Sequence, residues 1–456
     1  MNRQPAKEPL WPRVLRWWSK ARLVLAHRRA ALLSRLVWPL AWPAAWLWRR
    51  TWLRKAKVAA ITGSFGKTST AAATAAVFAT PFDADRPNYG TYLAAAVLRH
   101  RPRRGWLVLE VAISRPGQMR AYARMLRPDL VVLTAIGDNH LVAFGGSIEA
   151  LAREKAILPL AVGRHGTVVV NGDDARCRAI GEQVAGGGTR VERVGYAADC
   201  DWRIERGAAA DTVARPLGGR LTLRRLDDDG GATAACRAVE LATPWMGDDL
   251  GRCVAFAAAA GFAEGVDATR IVVRTAALSP LPWRLEESAL PGGATVVCDA
   301  WKGSWETIDS ALREMTRHAG RRRVAVLGAI EEVSGNQGER YKRYGQLAAA
   351  AAERILFVGS ERDFERFRAG VRQAARRPRL DYCSDVGQAA LALGDERAAG
   401  TVLLVKGRHA QKLGRVAMLL RGETVNCNIK VCPARGLRCE ICPRVRAGRD
   451  MEREEA

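Results

Sequence analysis

Apolar residues arrive along this chain in two patterns. Short unbroken runs at 58–61, 106–112, 130–134, 167–170, 295–298, 323–328, 355–358 and 401–405 have the length of strands buried on both faces. Between them, alanine- and leucine-rich stretches at 68–78, up to about 98, 147–158, 252–263 and 341–352 read as helices. Alternation of this kind predicts an α/β fold with doubly wound, mostly parallel sheets. From 185 to 245 the pattern changes to short strands with glycine-rich turns, which predicts a small antiparallel insertion. A second α/β unit restarts at Arg323, so the expected divisions are 1–57, a central unit at 58–320, a C-terminal Rossmann-like unit at 321–425 and a tail at 426–456.

The run at 58–61 feeds Gly63-Ser64-Phe65-Gly66-Lys67-Thr68-Ser69, a tight turn that opens a helix. Backbone N–H groups of such a turn converge on phosphate oxygens, the helix N-terminus adds partial positive charge, Lys67 adds a full one, and Thr68 offers a hydroxyl to magnesium. The central unit is therefore expected to be a P-loop nucleotide domain. Glu110 stands toward the end of the run at 106–112, at the end of a parallel strand that faces the ligand crevice, and is placed to share that magnesium with Thr68.

Charge changes the picture at the N-terminus. The chain carries a formal +25, but residues 1–57 hold 14 Lys/Arg against one acid, Glu8, together with eight of the 14 tryptophans. Such concentration argues against nucleic acid as the partner and for a membrane interface, where indoles lie at headgroup level and cations meet anionic lipid. The apolar stretch 36–48 is too short to span a bilayer and holds Pro39 and Pro43, so it suits the interface, with a tryptophan-rich lid on the core as the other reading. With a nucleotide site behind it, the expected location is cytoplasmic, peripheral to the inner membrane.

The tail sets Cys427, Cys432, Cys439 and Cys442 in a compact group. Its Cys-x2-Cys pair suggests a tetrahedral ion site: zinc first, an iron–sulfur cluster second, unligated thiols third. The other six cysteines, at 177, 200, 236, 253, 298 and 383, are scattered and read as small core residues.

Five blocks in order resemble the Mur ligase family: Ile61-Thr-Gly-Ser-Phe-Gly-Lys-Thr68; Leu109-Glu110 with Arg115-Pro-Gly117; Arg127-Pro-Asp129 through Gly137, His140 and Phe144-Gly-Gly-Ser147 to Lys155; Asp299-Ala300-Trp301; and Val324-Ala-Val-Leu-Gly328 with Val405-Lys406-Gly407. The likeness is greatest to the branch that adds D-alanyl-D-alanine to a UDP-muramoyl tripeptide, without its N-terminal UDP-binding domain. The resemblance implies an ATP- and magnesium-dependent amide-forming ligase of cell-envelope or peptidoglycan-like synthesis, joining a carboxylate-bearing acceptor to an amino acid or dipeptide through an acyl phosphate. It implies that Gly63, Ser64, Gly66, Lys67, Thr68 and Ser69 hold the phosphates, that Thr68 and Glu110 bind one magnesium, and that His140 ligates a second. Lys155 matches the family lysine that is carbamylated and bridges to that metal. Arg284 matches an arginine reaching the ATP phosphates, Asp299 starts the ribose and adenine segment, and Lys406 lies where the C-terminal unit closes over the site.

Departures from the family pattern fall at Thr134-Ala135, Trp301-Lys302-Gly303 and Gly247-Asp248-Asp249-Leu250. They touch adenine contacts and acceptor identity, and leave two alternatives: a poly-γ-glutamate synthase-like membrane ligase, and a nucleotide-binding regulatory subunit without transfer.

Overall fold

The structure, a computed structural model, describes residues 36–446 except 102–104, 139, 207–218, 226–237, 246, 319, 333–334 and 435. Most of the basic N-terminal segment and Cys236 therefore lie outside the described residues.

Two sheets form the frame. The first has eight strands in the order β2-β1-β3-β4-β5-β6-β7-β8: β1 (Lys57–Thr62), β2 (Trp106–Glu110), β3 (Leu130–Leu133), β4 (Thr167–Asn171), β5 (Arg190–Gly195), β6 (Trp202–Arg206), β7 (Gly219–Arg225) and β8 (Ala238–Thr243). Pairing is parallel from β2 through β6 and antiparallel across β6-β7-β8. The region expected as a separate insertion thus extends the central sheet. Its alternating burial shows why: β8 buries every second residue, the mark of a strand with one face on the core.

The second sheet runs β13-β12-β11-β14-β10-β9: β9 (Glu286–Ala289), β10 (Thr295–Asp299), β11 (Arg322–Leu327), β12 (Arg354–Val358), β13 (Arg379–Cys383) and β14 (Thr401–Lys406). It is parallel apart from the edge strand β9. Because β9 and β10 belong to it, the C-terminal unit takes in residues ahead of the expected division at 320, including Asp299, Trp301 and Lys302.

Helices cover both faces of the central sheet. The loop helix Lys67–Val77 and the helix Gly247–Ala263 share one face with the outer hydrophobic residues of β6 to β8. Ala255 and Ala257 to Ala260 are fully buried there, and their small side chains let the two helices approach closely.

The other face is closed in part by residues 36–50, a single helix in spite of Pro39 and Pro43. Its inner positions follow helical spacing: Trp38, Ala41, Trp42, Ala45 and Trp48 pack on the core. Trp42 Nε1 donates to the Ala121 carbonyl at 3.0 Å. Arg49, only 4% exposed, donates to the carbonyls of Leu126, Leu53 and Arg127 and pairs with Asp129 Oδ2 at 2.9 Å. The segment expected at a membrane interface is thus docked on protein along one face, as in the lid reading.

Two expected outcomes follow from this packing. Arg49→Ala removes a buried guanidinium that serves three carbonyls and the part-exposed Asp129 carboxylate, so chemical denaturation should show a loss of about 2 kcal/mol; an unchanged midpoint would mean the helix is not held there. Glu287 on β9 is pushed up to about 8 by burial and by nearby Glu314. A carboxyl held above its unfolded value binds more protons in the folded state, so it favours folding less as pH rises from about 4.5 to 8. Glu287→Gln should flatten the decline in stability across that window, measured as melting temperature against pH.

Candidate functional site at the seam of the two units

The loop after β1 is shaped by its neighbours on β3. Gly63 has φ 147°, and a Cβ there would lie 2.1 Å from Thr134 Oγ1; Gly66, at φ 78°, caps the loop helix. Thr134 Oγ1 donates to the Phe65 carbonyl at 2.6 Å, and the Ser64 N–H donates to the Ala135 carbonyl at 2.8 Å. Ser64 Oγ and Gly137 exchange two further hydrogen bonds. The turn is therefore rigid before any ligand arrives.

Three lysine side chains meet on two adjacent loop carbonyls. Lys155 Nζ donates to the Gly63 carbonyl at 2.7 Å and Lys67 Nζ to the same oxygen at 3.0 Å. Lys67 also reaches the Ser64 carbonyl at 3.3 Å, which Lys302 approaches from the second unit at 3.0 Å. Burial, then the charge of Lys302, pulls Lys67 down to about 7. Lys155 is lowered further, by burial first and then by Lys67 and Lys302. Both effects disfavour the charged form of its amine.

Oxygen donors gather beside the cations. Thr68 Oγ1 donates to Glu110 Oε2 at 2.6 Å, while Asn88 Nδ2 holds Glu110 Oε1 at 2.6 Å. Arg284 Nη2 reaches Thr68 Oγ1 at 3.1 Å, its guanidinium lying 5.0 Å from the Trp301 ring centroid. A hydroxyl and a carboxylate side by side, next to a phosphate loop, suit one hard divalent cation. His140 does not join them: its N–H and Nδ1 face Glu332 Oε2 of the second unit at 2.9 and 3.3 Å. Asp299 and Lys406 stand level on β10 and β14, where fully buried Lys406 bonds Asp299 Oδ2 at 2.6 Å and the Lys302 carbonyl at 2.7 Å. Lys406 thus shapes the turn that carries Lys302. Between these groups a cavity of about 100 Å³ is lined by Phe65, Ser69, Leu250, Phe256, Trp301 and Lys302.

Sequence comparison bears on the same residues. The Mur ligase middle domain matches residues 61–214. UDP-N-acetylmuramoyl-tripeptide–D-alanyl-D-alanine ligase of Mycobacterium tuberculosis is 30% identical over 381 residues, covering 78% of this chain and 71% of that protein. The chain belongs to the Mur ligase family. It is accordingly an ATP-dependent amide-forming ligase. The corresponding ligase of Mycobacterium leprae is 29% identical over 387 residues, with 80% and 73% covered. The fold matches that of MurF ligase from Thermotoga maritima, solved in complex with ADP, with a TM-score of 0.69 at 21% identity over 84% of this chain and 83% of that one.

The cysteine tail departs from expectation. Cys427, Cys432, Cys439 and Cys442 do line one small cavity, but among the described residues no three His, Cys, Asp or Glu side chains gather in a metal-holding group. Zinc or an iron–sulfur cluster is therefore not supported. Lys412 and Arg415 line the same cavity and fasten the tail through main-chain oxygens: Arg415 donates to the Cys427 and Ile429 carbonyls at 2.6 and 2.7 Å, and Lys412 to the Leu437 carbonyl. Burial pushes the Cys439 thiol up to about 12, so it is neutral. Trp283 donates to Glu440, and Arg438 pairs with Asp85 of the central unit at 2.9 Å, so the tail also bridges the units. Of the scattered cysteines, Cys177, Cys200, Cys253, Cys298 and Cys383 are buried and free.

Sequence reasoning missed Lys302 and Asn88 as site residues; Lys302 stood in a recognised departure but without a role. If the loop cations serve a polyanion, Lys67→Ala should lower ATP affinity about ten- to a hundredfold by calorimetry. Its denaturation midpoint without nucleotide should be unchanged or raised, because the crowding of Lys67 against Lys302 on one carbonyl is relieved. Unchanged affinity would remove Lys67 from the site.

Proposed function

We propose that this enzyme joins a carboxylate to an amine through an acyl phosphate in cell-envelope or peptidoglycan-like precursor synthesis. The observation that carries this is the convergence of Lys67 and Arg284 on one rigid loop beside Thr68 and Glu110, with Lys155 at the loop's Gly63 carbonyl. Phosphoryl transfer builds charge on the moving group, and fixed cations are what it needs. Gly63, Ser64, Gly66 and Ser69 belong to the phosphate cradle, with Lys67 against the terminal phosphates and Arg284 aimed across them. Asp299 and Trp301 serve the nucleoside side.

Thr68 and Glu110 are the residues suited to hold magnesium, which when bound supplies charge neutralisation at the phosphates. Lys155, whose burial and cationic neighbours disfavour its charged form, can in its free-amine form add carbon dioxide, gaining a carboxylate and releasing one proton. The resulting anion would offset its crowded cationic surroundings. His140 would serve a second ion only after its pair with Glu332 opens, which makes it a residue of the seam between the units. Contacts across that seam, Arg340 with Asp138 and Arg317 with Asp248, help exclude water from an intermediate that water destroys.

The relatives' names give UDP-N-acetylmuramoyl tripeptide and D-alanyl-D-alanine as the partners joined. These are the first acid and amine to supply. ADP should form steadily only with both present, and hydroxylamine in place of the amine should trap a hydroxamate; nucleotide binding without either outcome would favour the regulatory reading. Lys155→Ala should lose turnover at least a hundredfold and recover part of it with added short carboxylates. Full activity in that variant would remove the carbamate from the mechanism.

A membrane-bound acceptor is favoured by the outward face of the helix 36–50. Leu36, Val37, Leu40, Trp46 and Leu47 are exposed there, Leu40 by 76%, with exposed Arg54 and Lys55 just beyond. We infer that this face lies on an anionic bilayer surface. No described helix is long and apolar enough to cross a membrane. The protein should co-sediment with phosphatidylglycerol vesicles and less with phosphatidylcholine. Leu40→Asp with Leu47→Asp should weaken that binding at least tenfold while ATP affinity holds; equal binding by the variant would refute the surface.

A further inference from the structure

Lys302 lies in the C-terminal unit, on the connection between β10 and the helix Trp305–Thr316. Its ammonium nevertheless sits on the nucleotide loop of the central unit, 3.0 Å from the Ser64 carbonyl. That oxygen is shared with Lys67 at 3.3 Å. Two ammonium groups on one carbonyl repel each other, with Glu110, Glu306 and Glu331 among the counter-charges around Lys302. The adjacent Gly63 carbonyl already serves both Lys67 and Lys155. Such an arrangement favours entry of an anion with several charged oxygens.

The connection is also built to hold Lys302 in place. Lys406 fixes the Lys302 carbonyl at 2.7 Å, and the Gly303 carbonyl accepts the Glu331 N–H at 2.7 Å. Gly303 itself lies so close to the following segment that a Cβ would come within 2.8 Å of the Arg408 N. The main chain on both sides of Lys302 is therefore tied to β14 and to the loop after β11. A long, mobile side chain is carried on a rigid support and aimed across the seam.

We propose that Lys302 is a phosphate-binding cation that the C-terminal unit inserts into the nucleotide loop, so that the triphosphate is gripped from both units at once. The inference rests on the ATP reading of the loop and adds the residue that couples nucleotide binding to closure of the units. Arg284 already crosses the seam to Thr68. Lys302 supplies a second crossing, at Ser64.

The test is binding of three probes to the full chain with magnesium: ATP, inorganic tripolyphosphate and adenosine. Lys302→Ala should weaken ATP and tripolyphosphate about tenfold or more, leave adenosine unchanged, and be largely restored by Lys302→Arg. Equal loss for adenosine would mean that Lys302 only props the loop, and no loss for tripolyphosphate would mean that it does not touch phosphate; either overturns the proposal. Failure of the unaltered protein to bind ATP would instead refute the underlying nucleotide reading.

Discussion

Lysine side chains crowded onto the main chain of one tight turn are the constraint on which this structure depends. Lys67, Lys155 and Lys302 come from three separate elements and two units, yet all are held by the carbonyls of Gly63 and Ser64. Packing around Thr134, Ala135 and Gly137 keeps that turn from yielding. Free energy invested in crowding the cations is recovered when an anion binds, which is how a preorganised site favours a charged ligand.

The two sheets place their strand ends for this purpose. In the central sheet β1, β2 and β3 end at the loop, at Glu110 and at Thr134; in the second, β10 and β14 end at Asp299 and Lys406. Carboxyl ends of parallel strands face the same cleft from both sides, so each unit contributes half of the site. The tail reinforces the arrangement from behind, through Trp283 with Glu440 and Arg438 with Asp85.

Much of this was legible in the sequence because it is local. The loop announces itself by glycines, lysine and threonine in consecutive positions, and the buried strands by continuous apolar runs. Glu110 could be placed beside Thr68 because a parallel strand brings its last residue to the crevice. What could not be read depends on contacts between distant segments. Nothing near Lys302 tells that its side chain enters a loop 238 residues away. His140 looked like a ligand from its position in a motif, but Glu332 from the other unit claims it here. Cysteine spacing suggested a metal, whereas Lys412 and Arg415, which line the same cavity, precede the tail in the sequence. The 36–50 stretch looked interfacial from composition, and only its helical register separates a docked face from an exposed one.

Passage of the terminal phosphoryl of ATP to a carboxylate at this seam would leave an isotopic trace. With both oxygens of the acceptor carboxylate labelled with 18O, formation of the amide should deliver one labelled oxygen into the inorganic phosphate released, detected by mass spectrometry. Amide formed with no label in phosphate, or with label in AMP instead, would contradict the account.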